Sequence, residues 1–330
     1  VLELPPGWRA ESKTYNHPAI EPKVSGSTFT WELENLPPIV LEGAGPGIEG
    51  LAPRVAISYY PPAGAQADAV SFSTWPEVSA WLSALNDPQA VADATLRAKV
   101  KDLTEAARTE REKVEALGRF VQGIKYVSIQ MGISRGGGYR PHTASEVLTK
   151  LYGDCKDKAN LLRTMLREAG IEAYPVAVFA GDPTYVRKDW PSPHQFNHAI
   201  VAIRVSDDYQ APAVAGHPDI GRILYFDPTD EYTPIGLLPA HEQGSFALLV
   251  HPTKGDLVAV PRAQPEANHL ERTIKASLND DGSLTAVVTE KCTGESASAN
   301  RRILRGANEA EYRKVIERWI ARGVPGSQVE

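Results

Sequence analysis

Hydrophobic and polar residues alternate through the first part of the chain. The segments Thr28–Leu33 and Arg54–Tyr60 both show a period of two, and prolines and glycines separate them. This alternation is typical of strands with one buried face. Around Trp75 and Trp81 the apolar residues change to helical spacing after a Ser/Thr-rich start, so we expect a helix with these tryptophans in the core. The pattern predicts a β-rich N-terminal domain, in part, over residues 1–95.

The middle of the chain changes to a helical period. Apolar residues recur at threes and fours between Ala98 and Val121, which predicts an amphipathic helix or a pair of helices. Thr143 and Glu146 have the spacing of a reciprocal capping box and predict the start of another helix. A further helix is expected to begin at Cys155 and to end at Gly170.

Three strand-like segments follow, Ala173–Phe179, His198–Val205 and Ile223–Phe226. A helix followed by such strands is typical of an α+β domain in which the helix packs on an antiparallel sheet. We therefore predict an α+β core over residues 96–264. The long loop Ala180–Asn197 is either a segment that covers the substrate or a surface excursion.

The last part of the chain alternates again. Two apolar runs, His269–Leu278 and Leu284–Thr289, flank a strong turn signal at Asn279–Gly282 and predict a β-hairpin. An amphipathic helix is expected over Ala310–Ile320. One hairpin and one helix make a poor core by themselves, so we expect this end of the chain to pack on a neighbour or to have been cut from a longer chain.

Composition places the chain among ordinary globular proteins. Of its 330 residues, 42% are hydrophobic and 23% are charged, and the net charge is −6 without a long run of one sign. These values exclude a disordered chain and argue against a dedicated nucleic-acid binder. No apolar run is long enough for a transmembrane helix, and the first residues do not resemble a signal peptide. Two cysteines, Cys155 and Cys292, are too few for a disulfide framework or a thiolate metal site.

The strongest chemical signal surrounds Cys155, in the run Tyr152–Lys158. A cysteine in the first turn of a helix lies near unsatisfied N–H groups, which favour the thiolate over the thiol. Its own backbone N–H could also stabilise an oxyanion. The alternative is that Cys155 is a small buried hydrophobic residue, and this is the favoured interpretation for Cys292.

A cysteine nucleophile requires a base and a group that orients the base. His198 begins one predicted strand and Asp227 ends another, so antiparallel pairing would bring both to one edge of the sheet. Taken singly, each also fits an ordinary residue at a strand end. Asp230 competes with Asp227 but lies beyond Pro228, in the turn.

Other cofactor and metal signals are weak. His194 is four residues before His198, but the prolines nearby disfavour the helix that a metal pair would need. Gly45–Gly50 matches a dinucleotide fingerprint only formally, since no helix is expected after it. Neither a G-x-S-x-G motif nor a Walker phosphate loop is present. We expect no cofactor and no metal.

These residues resemble a known family. The run Tyr152–Ala159, with Asn197–Ala199 and Phe226–Thr229, resembles the bacterial transglutaminase-like superfamily, whose core is similar to papain. The resemblance covers about residues 98–262. The upstream part resembles the tail of a β-rich domain of unknown function that often precedes this core in bacterial envelope proteins. Residues 265–330 resemble the start of a further, C-terminal β-rich domain in the same proteins.

The resemblance implies a thiol acyl-transfer enzyme, either a cysteine peptidase or a transglutaminase, that acts on peptide or Gln side-chain amides. Cys155 would be the nucleophile, His198 the base and Asp227 the orienting acid. A side-chain oxyanion donor is expected upstream, and Gln130 is the nearest suitable group, with Tyr126 and Gln122 as alternatives.

The resemblance also implies the setting of the protein. The expected partner is a protein or peptide substrate, not a nucleic acid, and the expected location is the periplasm or cell envelope. The alternative function is a catalytically silent envelope binding or scaffold protein that retains the fold.

Overall fold

The computed structural model describes residues 1–43, 45–64, 70–128 and 138–329. The strands are β1 (Leu2–Glu3), β2 (Arg9–Tyr15), β3 (Lys23–Ser25), β4 (Thr28–Thr30), β5 (Arg54–Tyr60), β6 (Lys125–Tyr126), β7 (Tyr152–Gly153), β8 (Ala173–Val178), β9 (His198–Arg204), β10 (Val214–His217), β11 (Gly221–Phe226), β12 (Phe246–Leu249), β13 (Leu257–Ala259), β14 (Leu270–Leu278) and β15 (Leu284–Cys292). The helices are α1 (Ile48–Leu51), α2 (Trp75–Asn86), α3 (Ala94–Thr104), α4 (Glu110–Gln122), α5 (Ala144–Lys150), α6 (Cys155–Glu168), α7 (Gly294–Gly306) and α8 (Glu309–Ala321).

A curled antiparallel sheet of six strands, in the order β10-β11-β9-β8-β12-β13, forms the centre of the structure. Helix α6 packs on β8 and β9, and its inner face is fully buried. Leu162 and Met165 on α6 share one core with Ile200 and Ile203 on β9. The predicted α+β class, with a helix on an antiparallel sheet, is therefore confirmed.

Helices α3, α4 and α5 pack around α6 and complete the core. The predicted apolar period between Ala98 and Val121 is divided between α3 and α4, because Thr109 caps α4 and starts a new helix. At the start of α5, Thr143 accepts a hydrogen bond from the backbone N–H of Glu146, which is one half of the predicted capping box, while the Glu146 carboxylate accepts from Lys150 instead. Strands β10, β12 and β13 and helix α7 were not predicted from the sequence pattern.

A buried arginine joins α2 to α6. Arg163 is fully buried, donates to Asp87 Oδ1 at 2.8 Å and to the carbonyl of Asn86 at 2.7 Å, and also bonds to Asn160 on its own helix. Burial of a guanidinium requires such partners, because an unpaired charge would be strongly destabilising. Trp75 is also buried and packs with β12, as predicted, whereas Trp81 is only partly buried and packs against the outside of the same cluster.

The loop between β8 and β9 lies against the N-terminal ribbon formed by β2 and β5. Asp189 accepts hydrogen bonds from Lys13 at 3.0 Å and from Tyr15 at 3.1 Å, and the indole of Trp190 donates to Ser58. These contacts favour the surface excursion over a segment that covers the substrate.

The C-terminal hairpin of β14 and β15 forms as predicted, with Gly282 at positive φ in its turn. The predicted helix near the end is α8. The boundaries of the three predicted domains stay a prediction. Within the described residues, no helix combines the length and the apolar character needed to cross a membrane.

Candidate functional site

Cys155 is the first residue of α6 and is half-buried. Asp154 caps the helix by accepting a hydrogen bond from the backbone N–H of Asp157, and the Asp157 side chain accepts one from the N–H of Asp154. A Cβ at Gly153 would lie 2.7 Å from Cβ of Asp157, so only glycine fits this approach. The first N–H groups of a helix have no partner within it, so the N–H of Cys155 is a potential donor beside the sulfur.

His198 and Asp227 come from neighbouring strands of the central sheet. Strands β9 and β11 are antiparallel, with Phe226 opposite Val201, so the register continued by one residue sets Asp227 opposite Ile200. Residues two apart on a strand share a face, and His198 is two residues before Ile200. Nε2 of His198 lies 3.3 Å from Oδ2 of Asp227. The predicted meeting of a strand start and a strand end at one edge is confirmed.

Asp227 is 4% exposed and is held by the turn that follows it. Its Oδ1 accepts a hydrogen bond from the backbone N–H of Thr229 at 2.7 Å, and Oδ2 accepts one from the Thr229 hydroxyl at 3.0 Å. Burial acts to raise the pKa of Asp227, but the hydrogen bond and the charge of His198 lower it by more. The pKa of Asp227 is therefore below its ordinary value. Asp227 is therefore a fixed anion.

His198 interacts with both the acid and the thiol. Burial acts to lower its pKa, but hydrogen bonds with Asp227 and Cys155 and the charges of Asp227 and Glu242 outweigh it. The pKa of His198 stands well above the ordinary value. The site therefore favours an imidazolium beside the sulfur, the state that stabilises a thiolate.

Tyr126 approaches Cys155 from the upstream segment. The parallel pairing of β6 with β7 sets Tyr126 beside Gly153, two residues before Cys155. Partial burial and the charges of Cys155 and Asp154 raise the pKa of Tyr126, so it remains a neutral donor. Gln122 instead donates to two backbone carbonyls of the loop after β11. Gln130 lies outside the described residues.

A buried lysine lies one turn after the cysteine on α6. Lys158 is 1% exposed, and its ammonium group donates to the carbonyls of Gln122 at 3.2 Å and Ile124 at 2.8 Å. Burial lowers its pKa to about 8, against the charges of Asp227 and Glu231. Lys158 therefore fixes the segment that leads to Tyr126 and adds a positive charge beside Asp227.

A second carboxylate lies behind His198. Glu242 is fully buried, and its Oε1 lies 3.5 Å from Nε2 of His198. Ligand atoms of His198, Asp227 and Glu242 lie within 4.8 Å of one another, the spacing of a possible metal site. Burial and the charge of Asp227 raise the pKa of Glu242 well above the ordinary value, which favours its neutral form.

A cleft of about 730 Å³ opens onto His198 and Asp227. Its walls include Tyr126, Lys158, His198 and Asp227, together with Arg302 from α7. This volume is within the range of clefts that accept small ligands or parts of peptides.

The structure thus brings together three of the predicted site residues, Cys155, His198 and Asp227. Sequence reasoning considered Lys158 only as a positive charge that favours the thiolate of Cys155, not as a buried residue, and it did not find Glu242. The position of Lys158 three residues after Cys155, on the same side of the helix, could have indicated its place in the site. Glu242 follows a long irregular segment, and no sequence pattern connects it to the site.

Comparisons with known proteins agree on the fold. The sequence profile described as transglutaminase-like superfamily matches residues 97–211, a range that includes Cys155 and His198 but ends before Asp227. Comparison with curated protein sequences gives no match. A solved structure from Parabacteroides distasonis, named a "putative protease", is similar with a TM-score of 0.51 and 17% identity, over 78% of this chain and 43% of that one. The chain therefore spans less than half the length of that protein.

A second solved structure, named a "putative cysteine protease" from Cytophaga hutchinsonii, has a TM-score of 0.32 and 11% identity, over 88% of this chain and 81% of that one. A similarity at that level does not bear on the fold. The first structure shows a similar fold, with a helix packed on an antiparallel sheet. Residues 97–211 of this chain match the transglutaminase-like superfamily.

Proposed function

We propose that this protein is a thiol acyl-transfer enzyme that acts on peptide or Gln side-chain amides through Cys155, His198 and Asp227. One observation carries the proposal: Nε2 of His198 lies 3.3 Å from a buried aspartate, and His198 begins the strand that packs against the helix begun by Cys155. An ordinary buried cysteine does not need a charged imidazole beside it, whereas an activated thiolate does.

The roles follow from the positions of the atoms. Nε2 of His198 is on the carboxylate side, which leaves Nδ1 for the sulfur. His198 takes the proton of the Cys155 thiol, and the thiolate attacks the amide carbon to form a tetrahedral oxyanion. When the C–N bond breaks, the imidazolium gives its proton to the leaving amine, and a thioester on Cys155 remains. Asp227 keeps the imidazole oriented and stabilises its charged form.

The thioester is then resolved by a second nucleophile. Water or an amine attacks the thioester carbon while His198 takes the proton of that nucleophile. The C–S bond then breaks, and the thiolate of Cys155 that leaves takes the proton back from His198. Water gives hydrolysis, and an amine gives a new amide. The choice depends on which acceptor the cleft admits.

The oxyanion requires donors directed at the developing charge. The backbone N–H of Cys155 supplies one, as in other enzymes that place the nucleophile at a helix start. For the side-chain donor, the pairing that sets it beside Gly153 supports Tyr126. Gln130 stays a sequence prediction, and the amide of Gln122 is engaged elsewhere.

The domain boundaries and the setting of the protein are also proposals. We infer a catalytic core over residues 96–264, flanked by β-rich regions over 1–95 and 265–330 that would contact a protein or peptide substrate. Location in the periplasm or cell envelope rests on the family resemblance. Deamidation is one further outcome of the same chemistry, since water can resolve an acyl group taken from Gln.

The experiment is a search for the acyl-enzyme. The chain is incubated with a library of peptides containing Gln, with and without a primary amine, and both the products and Cys155 are followed by mass spectrometry. We expect a thioester on Cys155 and turnover that Cys155→Ala abolishes and Cys292→Ala retains. If the wild-type chain binds peptides as tightly as Cys155→Ala but forms no adduct, the silent binding protein is the better description.

A further inference from the structure

Glu242 lies at the end of a short 3-10 turn, Ala240–Glu242, in the segment between β11 and β12. Its side chain is fully buried, and among the described residues neither carboxyl oxygen accepts a hydrogen bond from a donor. The nearest polar atoms belong to the site: Nε2 of His198 at 3.5 Å and Nε2 of His241 at 3.8 Å from Oε1, with the Asp227 carboxylate in hydrogen-bond range. A buried carboxyl without donors is costly unless it carries a proton.

Two adjacent carboxylates in a buried site cannot both be ionised without a large repulsion, so one proton is held between them. Asp227 accepts two hydrogen bonds from Thr229 and faces His198. The two hydrogen bonds and the charge of the imidazolium all favour the anionic form of Asp227. Glu242 has no comparable donors. The proton therefore belongs on Glu242, where its O–H has the Asp227 carboxylate as an acceptor.

We propose that Glu242 is a positioning residue that donates a hydrogen bond from its protonated carboxyl group to Asp227 and so holds Asp227 against His198. This inference rests on the proposed function, because its consequence is for the base of that reaction. A neutral Glu242 keeps the charge of the acid pair at −1, so His198 is held as an imidazolium but can still return its proton. The other titratable groups that face the pair are Lys158, buried beside Asp227, His241, half-exposed, and Asp230, which binds Arg302.

The same atoms could be bridged by a metal ion, since they lie within 4.8 Å of one another. A metal ion would need both carboxylates ionised and free to coordinate. Both oxygens of Asp227 already accept hydrogen bonds from Thr229, and the ammonium of Lys158 lies on the same side. The shared proton satisfies these contacts without moving a side chain.

The first test reads the proton directly and needs no turnover. The infrared difference spectrum between the wild-type chain and Glu242→Gln at neutral pH should contain the C=O stretch of a protonated, buried carboxyl group. The spectrum of Glu231→Gln, the same substitution at an exposed glutamate of the same cleft, should retain that band. If the wild-type chain lacks the band, Glu242 is ionised and the proposal is wrong.

The second test measures the effect of Glu242 on the base His198. It follows the rate of Cys155 alkylation as a function of pH. Glu242→Gln keeps a neutral donor, so we expect its rate within about threefold of wild type and an unchanged profile. Glu242→Leu removes the donor, and we expect a loss of about tenfold or more. A Glu242→Gln profile displaced to lower pH would mean that the charge of Glu242 matters instead, and would overturn the proposal.

Titration with Zn²⁺ covers the remaining alternative. If Cys155→Ala binds one equivalent of Zn²⁺ and Glu242→Gln does not, His198, Asp227 and Glu242 form a metal site, and the proposal of a shared proton is wrong. If no Zn²⁺ binds to Cys155→Ala, the result supports the shared proton. The infrared band also separates the two proposals. If the band is present but Cys155 is unreactive in every variant, the pairing of Glu242 with Asp227 stands and the proposed function fails.

Discussion

Replacement of Asp227 by asparagine removes the charge that holds the His198 imidazolium while the size of the side chain is kept. Unit charges 3.3 Å apart interact by about 5 kcal/mol at an effective dielectric constant of 20. Two effects reduce this value: the desolvation of the pair, and the ability of Glu242, 3.5 Å from the same nitrogen, to ionise once Asp227 is neutral. We expect a net loss of about 1.5 to 3 kcal/mol, or roughly 10- to 150-fold in the thiolate population at neutral pH.

The assay is the second-order rate of Cys155 alkylation by iodoacetamide, followed by mass spectrometry between about pH 5.5 and pH 9. The deficit of Asp227→Asn should be largest in mildly acidic solution, where the thiolate depends on the imidazolium. It should shrink as the pH rises above about 8.5, the ordinary thiol pKa, because any thiol then ionises without help.

Asp230→Asn is the matched control. Asp230 lies three residues later in the same loop, and its carboxylate accepts from Tyr232, Thr233 and Arg302 rather than from His198. Its alkylation profile should follow wild type. The reasoning is refuted if Asp227→Asn reacts within twofold of wild type in acidic solution, or if the control loses as much.

Three further predictions address the supports of the site. Burial lowers the pKa of Lys158 to about 8, so between about pH 8 and pH 10.5 the unfolded chain binds the Lys158 proton more strongly than the folded chain does. Wild type should therefore gain stability relative to Lys158→Met as the pH rises through that window, by up to about 3 kcal/mol in urea unfolding. Parallel pH dependences of the two free energies of unfolding would contradict this. Gly153→Ala should displace Asp157, loosen the start of α6 and slow the alkylation of Cys155. The control is Gly216→Ala, where an added Cβ meets nothing within 4 Å and the alkylation rate should not change. Equal rates in the two variants would show that the approach of Asp157 to Gly153 is not tight. Arg163→Met should destabilise the chain by about 1–3 kcal/mol, measured by denaturant unfolding, because the buried carbonyl of Asn86 and the side-chain oxygen of Asn160 lose their donor. A loss below about 0.5 kcal/mol would exclude that role.

Local signals predicted the parts of the fold that local physics determines. The helix that begins at Cys155 was predictable because Asp154 caps it and apolar residues follow at helical spacing. The edge shared by His198 and Asp227 was predictable because antiparallel strands bring a start beside an end. Strand β12 was not predicted, because Phe246–Leu249 is a short run of apolar residues without alternation, and its place between β8 and β13 depends on long-range pairing.

The remaining site residues depend on tertiary contacts that no local pattern encodes. Glu242 lies in a 3-10 turn far along the chain from Cys155 and reaches the site only because β12 pairs with β8. From the sequence pattern, Lys158 is an ordinary charged residue of an amphipathic helix. In the structure its ammonium group is buried and donates hydrogen bonds to two backbone carbonyls. Polar residues of this kind are found only when the structure shows which partners satisfy them.

The most direct test of an activated thiol at Cys155 is its alkylation at about pH 6.5, with Cys292 as the internal control and His198→Ala alongside. Both cysteines are half-buried, so their difference in rate reports chemistry more than access. The account predicts that Cys155 reacts at least about tenfold faster than Cys292 and that His198→Ala removes this advantage. If both cysteines react at the same rate, and His198→Ala changes neither, Cys155 is not an activated nucleophile.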